Sequence, residues 1–214
     1  MMNTSGWYAK VISRQKVPEI RWITVQDFWV NGFINTKEKS PVFCFHCSKV
    51  ELLDSYAECG MVHSFKLKTG HNCTLNSIII MTPNQFDIAE IRTKITEEKE
   101  RWNIIVSTSE PFSQKSFVMD MTGKFLFRPS DRISVNLNEN TIKISQLGKE
   151  DHILNINATF DTHPTLETES DVRWIIMCSD QGSWMRLHCA SVEEMKDFVT
   201  TSLHIASIPK MQQE

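Results

Sequence analysis

The same ending occurs twice in this chain: an alternating segment, a short polar break and an amphipathic helix that carries a large apolar residue. In the first copy, residues 86–92 alternate like a strand, and a helix that begins at Thr96 presents Trp102. In the second copy, residues 184–189 alternate, and a helix that begins at Ser191 presents Phe198. Two such endings about a hundred residues apart predict two small β domains, each closed by a C-terminal helix.

The interval between the two endings sets the limits of the domains. A length of 214 residues fits two domains of ordinary size. The short polar stretch from Ser107 to Gln114 includes Pro111 and separates the two patterns. We therefore predict a first domain at residues 1–108, a second at 115–206 and a flexible tail at 207–214.

Strand-like segments fill both halves, about seven in each half by their spacing. The segments with assigned bounds are 6–12, 20–25, 28–34, 42–47, 65–68, 77–81 and 86–92 in the first half. Five have assigned bounds in the second half: 133–137, 142–144, 154–160, 172–178 and 184–189. The stretch from Asp161 to Asp171 holds a proline and four acidic residues, which predicts an exposed loop.

The two predicted helices have recognisable starts. Thr96 is a candidate N-cap followed by two glutamates, and Trp102, Ile105 and Val106 form one apolar stripe. In the second helix, Ser191 and Glu194 have the spacing of a capping box.

Composition excludes several classes of protein. Apolar residues make up 41% of the chain and charged residues 23%, which is ordinary for a folded protein. No apolar run is long enough to span a bilayer, and the N-terminus has no pattern of a secretion signal, so we expect a cytoplasmic protein. The six cysteines are then expected to be buried thiols. The net charge of −3 argues against nucleic acid as a partner, because a protein that binds nucleic acid is expected to carry a basic surface.

The first half resembles the pleckstrin-homology superfold in two places. Gly6-Trp7, Lys10 and Arg21-Trp22-Ile23 look like that family's opening hairpin, and the segment 97–102 looks like its closing helix with a tryptophan. The resemblance implies a mainly β fold with two pleckstrin-homology-like sandwich/barrel domains in tandem, each closed by a C-terminal α-helix.

The second half is similar to the phosphotyrosine-binding domains of the insulin-receptor-substrate and Dok adaptors. The segments 173–177 and 182–187, followed by the helix at Ser191, carry this similarity, and those adaptors place their two domains in the same order. The resemblance implies a signalling adaptor that binds protein partners.

A lipid site in the first domain would use basic residues around the first hairpin. The resemblance assigns this role to Lys10, Arg14, Lys16 and Arg21, because clustered cations match an inositol phosphate. Glu19 stands where the family usually has a basic residue, and it would repel phosphate. A solvated basic loop, or weak attraction to an anionic membrane, is the alternative interpretation.

A phosphotyrosine pocket would need arginines, and residues 158–161 and 179–182 have none where the related adaptors carry them. Arg173 and Arg186 are expected to be solvent-facing charges on strands. A groove between the fifth strand and the last helix, at Leu154, Ile156 and Phe198, is the candidate site for an unphosphorylated peptide.

A metal site is the weaker alternative. Cys44, Cys47, Cys59 and His63 are residue types that zinc prefers, but a strand over residues 42–47 would direct the first two cysteines to opposite faces. Buried thiols are therefore the preferred interpretation, and no local motif predicts a nucleophile or a cofactor.

These observations favour a non-catalytic adaptor or scaffold that binds protein partners, with weak attraction to membrane phosphoinositide in the first domain. A structural assembly protein that binds only proteins is the main alternative. A double pleckstrin-homology histone chaperone would use the acidic stretch 161–171, and an enzyme built on the cysteine and histidine residues comes last.

Overall fold

The computed structural model divides the chain into two compact units, Met1–Ile105 and Val106–Glu214. It describes residues 5–12, 17–54, 63–69, 77–108, 114–122, 129–156, 159–168, 171–180 and 183–207. Each unit is built from an antiparallel sheet and a following helix.

The described residues of the first unit form seven strands and the helix α1. The elements are β1 (Trp7–Ile12), β2 (Pro18–Gln26), β3 (Trp29–Phe33), β4 (Phe43–His46), β5 (Val50–Asp54), β6 (His63–Thr69), β7 (Ser77–Thr82) and α1 (Gln85–Thr108). A short 3₁₀ turn at Cys47–Lys49 joins β4 to β5. The strands lie in the order β4-β3-β2-β1-β7-β6-β5, so the sheet has β4 and β5 at its two ends.

The core of the first unit lies between the inner face of this sheet and α1. Alternate residues of the strands point inward, as Val11, Ile23 and Ile80 do. Ile88, Ile91 and Ile95 of α1 complete the core cluster, because positions three and four apart share one face of a helix. The helix therefore closes the sheet of its own unit.

The second unit repeats this scheme with strands β8 to β14 and helix α2. Its elements are β8 (Lys115–Thr122), β9 (Pro129–Leu137), β10 (Thr141–Gln146), β11 (His152–Asn155), β12 (Thr159–Thr168), β13 (Asp171–Asp180), β14 (Ser183–Cys189) and α2 (Val192–Ser207). The strand order β11-β10-β9-β8-β14-β13-β12 is that of the first sheet. Phe198 of α2 is fully buried, with its ring centroid 5.3 Å from that of Phe117.

The predicted fold class is confirmed. The protein is mainly β, with two modules in tandem, each an antiparallel seven-stranded sheet followed by a C-terminal helix. The capping box of α2 is also confirmed, since the Glu194 backbone N–H donates to Ser191 Oγ at 3.1 Å. The Glu194 carboxylate in turn accepts from the Ala190 N–H at 2.6 Å.

The predicted strand at residues 86–92 and the predicted helix start at Thr96 are wrong, because α1 is continuous from Gln85. Asn84 caps this helix: its Oδ1 accepts from the Phe86 N–H at 3.0 Å. Thr96 lies inside the helix, and its hydroxyl donates to the Arg92 carbonyl at 3.0 Å. In the stripe assigned to Trp102, Ile105 and Val106, Trp102 is buried and the other two side chains are partly buried.

Three other expectations need correction. The sequence did not predict β5 or β8. The single strand predicted at 154–160 is two elements, because β11 ends at Asn155 and β12 begins at Thr159. The predicted acidic loop at 161–171 is for the most part strand, since β12 continues to Thr168 and pairs with β13.

None of the helices in the described part of the chain is both long enough and apolar enough to cross a bilayer. The four cysteines that the structure describes, Cys44, Cys47, Cys178 and Cys189, are buried thiols, as the sequence predicted.

Candidate functional site

The first candidate site is the β1–β2 hairpin, which carries the predicted lipid-binding residues. In its register Arg21 lies opposite Ala9, and Lys10 lies opposite Ile20. Successive side chains of a strand point to opposite faces. Arg21 therefore shares the inner face with Ala9, while Lys10 lies on the outer face. Arg14 and Lys16, the other two predicted residues, lie outside the described part of the chain.

Arg21 already has an anionic partner. Glu19, two residues earlier on the same face, accepts from Arg21 Nη2 at 2.5 Å, and Arg21 Nη1 donates to the Ile20 carbonyl at 2.9 Å. The Arg21 side chain is only 17% exposed. An inositol phosphate would need the positive charge of Arg21, and Glu19 already neutralises that charge.

The outer face of the same hairpin is a second surface, which the sequence did not indicate. We call it the outer hairpin face, and it consists of Tyr8, Lys10, Ile12, Pro18, Ile20 and Trp22. Tyr8 and Ile20 are 52% and 60% exposed. Both faces of the hairpin therefore carry apolar residues, whereas a half-buried strand normally has one polar face. The apolar residues on both faces could have indicated this surface from the sequence. Only the register of the two strands shows which residues share the face.

The aromatic end of the outer hairpin face is ordered by packing. Tyr8 and Trp22 are directly opposite in register, with ring centroids 4.8 Å apart. The indole of Trp22 also lies over Gly6, where a Cβ atom would come within 2.7 Å of the ring. The absence of a side chain at position 6 is what allows this close approach.

The second candidate site is the edge of β12 that faces away from β13 in the second unit. No other described strand pairs with this edge, and we call it the free edge of β12. β12 is ten residues long and stands at the end of its sheet, paired with β13. Pro164 lies within it, opposite Trp174. Since proline has no N–H to donate, its nitrogen is expected to face away from β13. By the two-residue alternation of a strand, the backbone groups of Phe160 and Thr162 should also face the free edge.

The corresponding strand of the first unit offers less. β5 has five residues, and side chains of α1 bind it at both ends. Lys99 Nζ donates to the Val50 carbonyl at 3.2 Å, and Arg92 Nη1 donates to Asp54 Oδ1 at 2.8 Å. Of the two edges, β12 has the greater length for pairing with another strand.

The residues assigned to the peptide groove belong to the core. Leu154, Ile156 and Phe198 are 6%, 1% and 0% exposed, so their side chains do not line an open groove. Arg173 and Arg186 lie on β13 and β14, which confirms their placement on strands.

The candidate zinc ligands Cys44 and Cys47 lie in different elements. Cys44 lies in β4 opposite Asn31, whereas Cys47 lies in the 3₁₀ turn and belongs to the core cluster. Burial, with Glu98 nearby, raises the pKa of the Cys47 thiol to about 12. His63 begins β6, and Cys59 lies outside the described residues. No group of three His, Cys, Asp or Glu side chains suited to a metal occurs among the residues that the structure describes.

The two-residue turn between β2 and β3 has an unusual backbone conformation. Asp27 and Phe28 both have positive φ, at 50° and 71°, as a type I′ turn requires. A phenylalanine in this region is strained. The Phe28 N–H donates to buried Glu98 at 2.9 Å, its ring meets Trp102 edge-on at 5.3 Å, and Arg101 lies over the ring at 4.4 Å. These contacts with α1 hold the turn, which was not singled out from the sequence.

Comparison with protein families finds no family model that matches this chain, and comparison with curated proteins finds no matching protein. Among solved structures, the chain is similar to the PH domain of human pleckstrin homology domain-containing protein family A member 5. The two are 13% identical with a TM-score of 0.37, and the match covers 53% of this chain and 88% of that one.

Proposed function

We propose that this protein is a non-catalytic cytoplasmic adaptor or scaffold that binds protein partners, and that the second unit binds an extended segment by strand addition. The observation that carries the proposal is the position of β12, a ten-residue strand at the end of its sheet. An exposed strand edge presents backbone donors and acceptors to another chain, and a peptide can satisfy them by adding a strand.

Two features support β12 over the other sites considered. The competing edge β5 is half as long and is bound by Lys99 and Arg92 of α1. The inner face of the first hairpin has its arginine paired with Glu19, which weighs against an inositol phosphate there. A partner bound through its backbone does not need phosphate, so the proposal does not depend on arginines in the second unit.

The experiment uses the backbone of β12 itself. Thr162→Pro removes an N–H that is expected to face the free edge and leaves the ladder with β13 intact. Thr162→Val is the matched control, because it keeps the N–H and favours a strand. The full-length wild type and both variants are immobilised and exposed to the same cell extract, and the retained proteins are compared by quantitative mass spectrometry.

If the proposal is right, some proteins are retained equally by wild type and by Thr162→Val. Thr162→Pro should retain the same proteins at least about tenfold less, because it loses a hydrogen bond to the added strand. Far-ultraviolet circular dichroism checks that all three proteins are folded. Equal retention by the folded proline variant would contradict strand addition at β12.

A further inference from the structure

We propose that the outer hairpin face of the first unit contacts the surface of an anionic lipid bilayer. This inference adds a membrane contact to the proposed scaffold, and it places that contact on the face opposite to the one that holds Arg21. Its surface residues are Tyr8, Lys10, Ile20 and Trp22, from two neighbouring strands.

The first step is the combination of side chains. Tyr8 is half exposed, Ile20 is 60% exposed, and the indole of Trp22 packs beside Tyr8 at 4.8 Å. Lys10 is exposed and lies opposite Ile20, in the middle of the face. Tyrosine and tryptophan are enriched where a bilayer meets water, and a lysine there extends its ammonium toward lipid phosphates while its stem covers apolar surface.

The second step is the charge of the face. None of the six residues that define the outer hairpin face is acidic, and Glu19 points to the inner side. The next rows of the same sheet face add Met81, which is buried, opposite Lys10, and Ile79 opposite Ile12. Beyond them lie Lys66 and the exposed pair of Lys68 with Glu51, in which the two charges cancel. The face thus combines exposed apolar groups with cations, which complements an anionic surface.

The third step compares other occupants. A second copy of this chain bound face to face about a two-fold axis would bring the two Lys10 ammonium groups together, which is unfavourable. A protein partner would bury Lys10 at the centre of the contact, where lysine is depleted in protein interfaces. A bilayer surface leaves the ammonium among phosphate groups and water.

The test uses sedimentation of the full chain with vesicles of 60% phosphatidylcholine and 40% phosphatidylserine, and with vesicles of phosphatidylcholine alone. Lys10→Glu reverses one charge at the centre of the face, and Ile20→Ser removes an exposed apolar side chain. Lys39→Glu is the matched control: it makes the same charge change at an exposed lysine in the loop between β3 and β4.

The proposal expects wild type to sediment with the vesicles that contain phosphatidylserine and to remain in the supernatant with phosphatidylcholine alone. Lys10→Glu should weaken binding about 25-fold, because it changes two charges and each charge near the surface contributes about fivefold in affinity. Ile20→Ser should weaken binding about tenfold, because an apolar side chain is no longer buried in the bilayer surface. Lys39→Glu should stay within about threefold of wild type. The thermal unfolding midpoint of each variant shows that the fold is intact.

Three results would overturn the inference: no binding of wild type to phosphatidylserine vesicles, equal binding by wild type and both face variants, or an equal loss in Lys39→Glu. A fourth arm adds 5% phosphatidylinositol bisphosphate to phosphatidylcholine. Binding only in that arm, and indifferent to Lys10→Glu, would place the lipid elsewhere and also overturn it. Thr162→Pro is measured in parallel and should sediment like wild type, because β12 is not part of the proposed membrane contact. The vesicle assay therefore tests the membrane contact independently of strand addition at β12.

Discussion

At the residue scale, the ring of Phe43 in β4 lies directly against Gly32 of β3. The two residues are opposite in register, and a Cβ atom at position 32 would overlap the Phe43 ring. We expect Gly32→Ala to lower the free energy of unfolding by about 1–3 kcal/mol, because the ring must leave its position in the core. Urea denaturation measures the change. Adding Phe43→Leu should recover part of the loss, and an unchanged Gly32→Ala protein would contradict the packing argument.

His46 makes the stability of the first unit depend on pH. Burial and then the charge of Lys49 lower the pKa of this imidazole from 6.5 to about 3, and its ring packs against Trp29 and Trp102 at 5.1 and 4.6 Å. Because the folded pKa lies below the unfolded value, this contribution is complete above pH 6.5 and is lost as the pH falls toward 3.

At pH 4 we therefore expect the neutral His46 to cost about 3 kcal/mol of unfolding free energy relative to pH 7. His46→Phe keeps an aromatic ring that does not titrate. Urea denaturation from pH 7 to pH 4 should show a shallower loss of stability in His46→Phe than in wild type. Parallel pH profiles for the two proteins would show that this histidine does not set the slope.

At the scale of the element, the turn between β2 and β3 depends on α1. Glu98 is 4% exposed, accepts from the Phe28 N–H at 2.9 Å and pairs with Arg101 at 3.3 Å. Glu98→Leu leaves that N–H without its acceptor in a strained turn, so we expect a loss of about 1–3 kcal/mol in unfolding free energy. Glu98→Gln keeps an acceptor and should lose less than half as much in the same urea titration. Equal losses would mean that charge, and not the hydrogen bond to the turn, is what matters.

The same glutamate explains why sequence reasoning succeeded with one helix and failed with the start of the other. The buried stripe of α1 is Ile88, Ile91, Ile95, Glu98 and Trp102, so an acid interrupts the apolar period. Phe86 made residues 86–92 look like an alternating strand, but in the structure its side chain is 81% exposed at the start of α1. In α2 the buried face is apolar around Met195, Phe198 and Val199, and the Ser191 cap is local, so the pattern alone was sufficient.

The sequence was sufficient to infer that Glu19 would repel a phosphate, because Glu19 and Arg21 are two residues apart on a strand and so lie on one face. The outer hairpin face could not be inferred, because it depends on which residues of β1 and β2 are opposite each other. The free edge of β12 was hidden for a related reason. Pro164 and the acidic residues around it are typical of a loop, yet edge strands tolerate proline and charge.

At the scale of the whole molecule, each unit has its own sheet, its own closing helix and its own core. The core cluster of the first unit draws on residues from Ala9 to Ile95, and the anchor of the second is Phe198, which is fully buried against Phe117. A compact unit with its own core can unfold as a separate cooperative step. Damage to one core should therefore appear first in the unit that contains it.

Phe198→Ala tests this expectation. Removing a buried phenylalanine should cost about 3–5 kcal/mol, enough to unfold a marginal unit. Hydrogen exchange read by mass spectrometry should show protection lost across β8 to β14 and α2 and retained in β1 to β7. Ile91→Ala, in the core of the first unit, is the reciprocal variant and should give the opposite pattern. Loss of protection throughout the chain from either substitution would show that the two cores unfold as one.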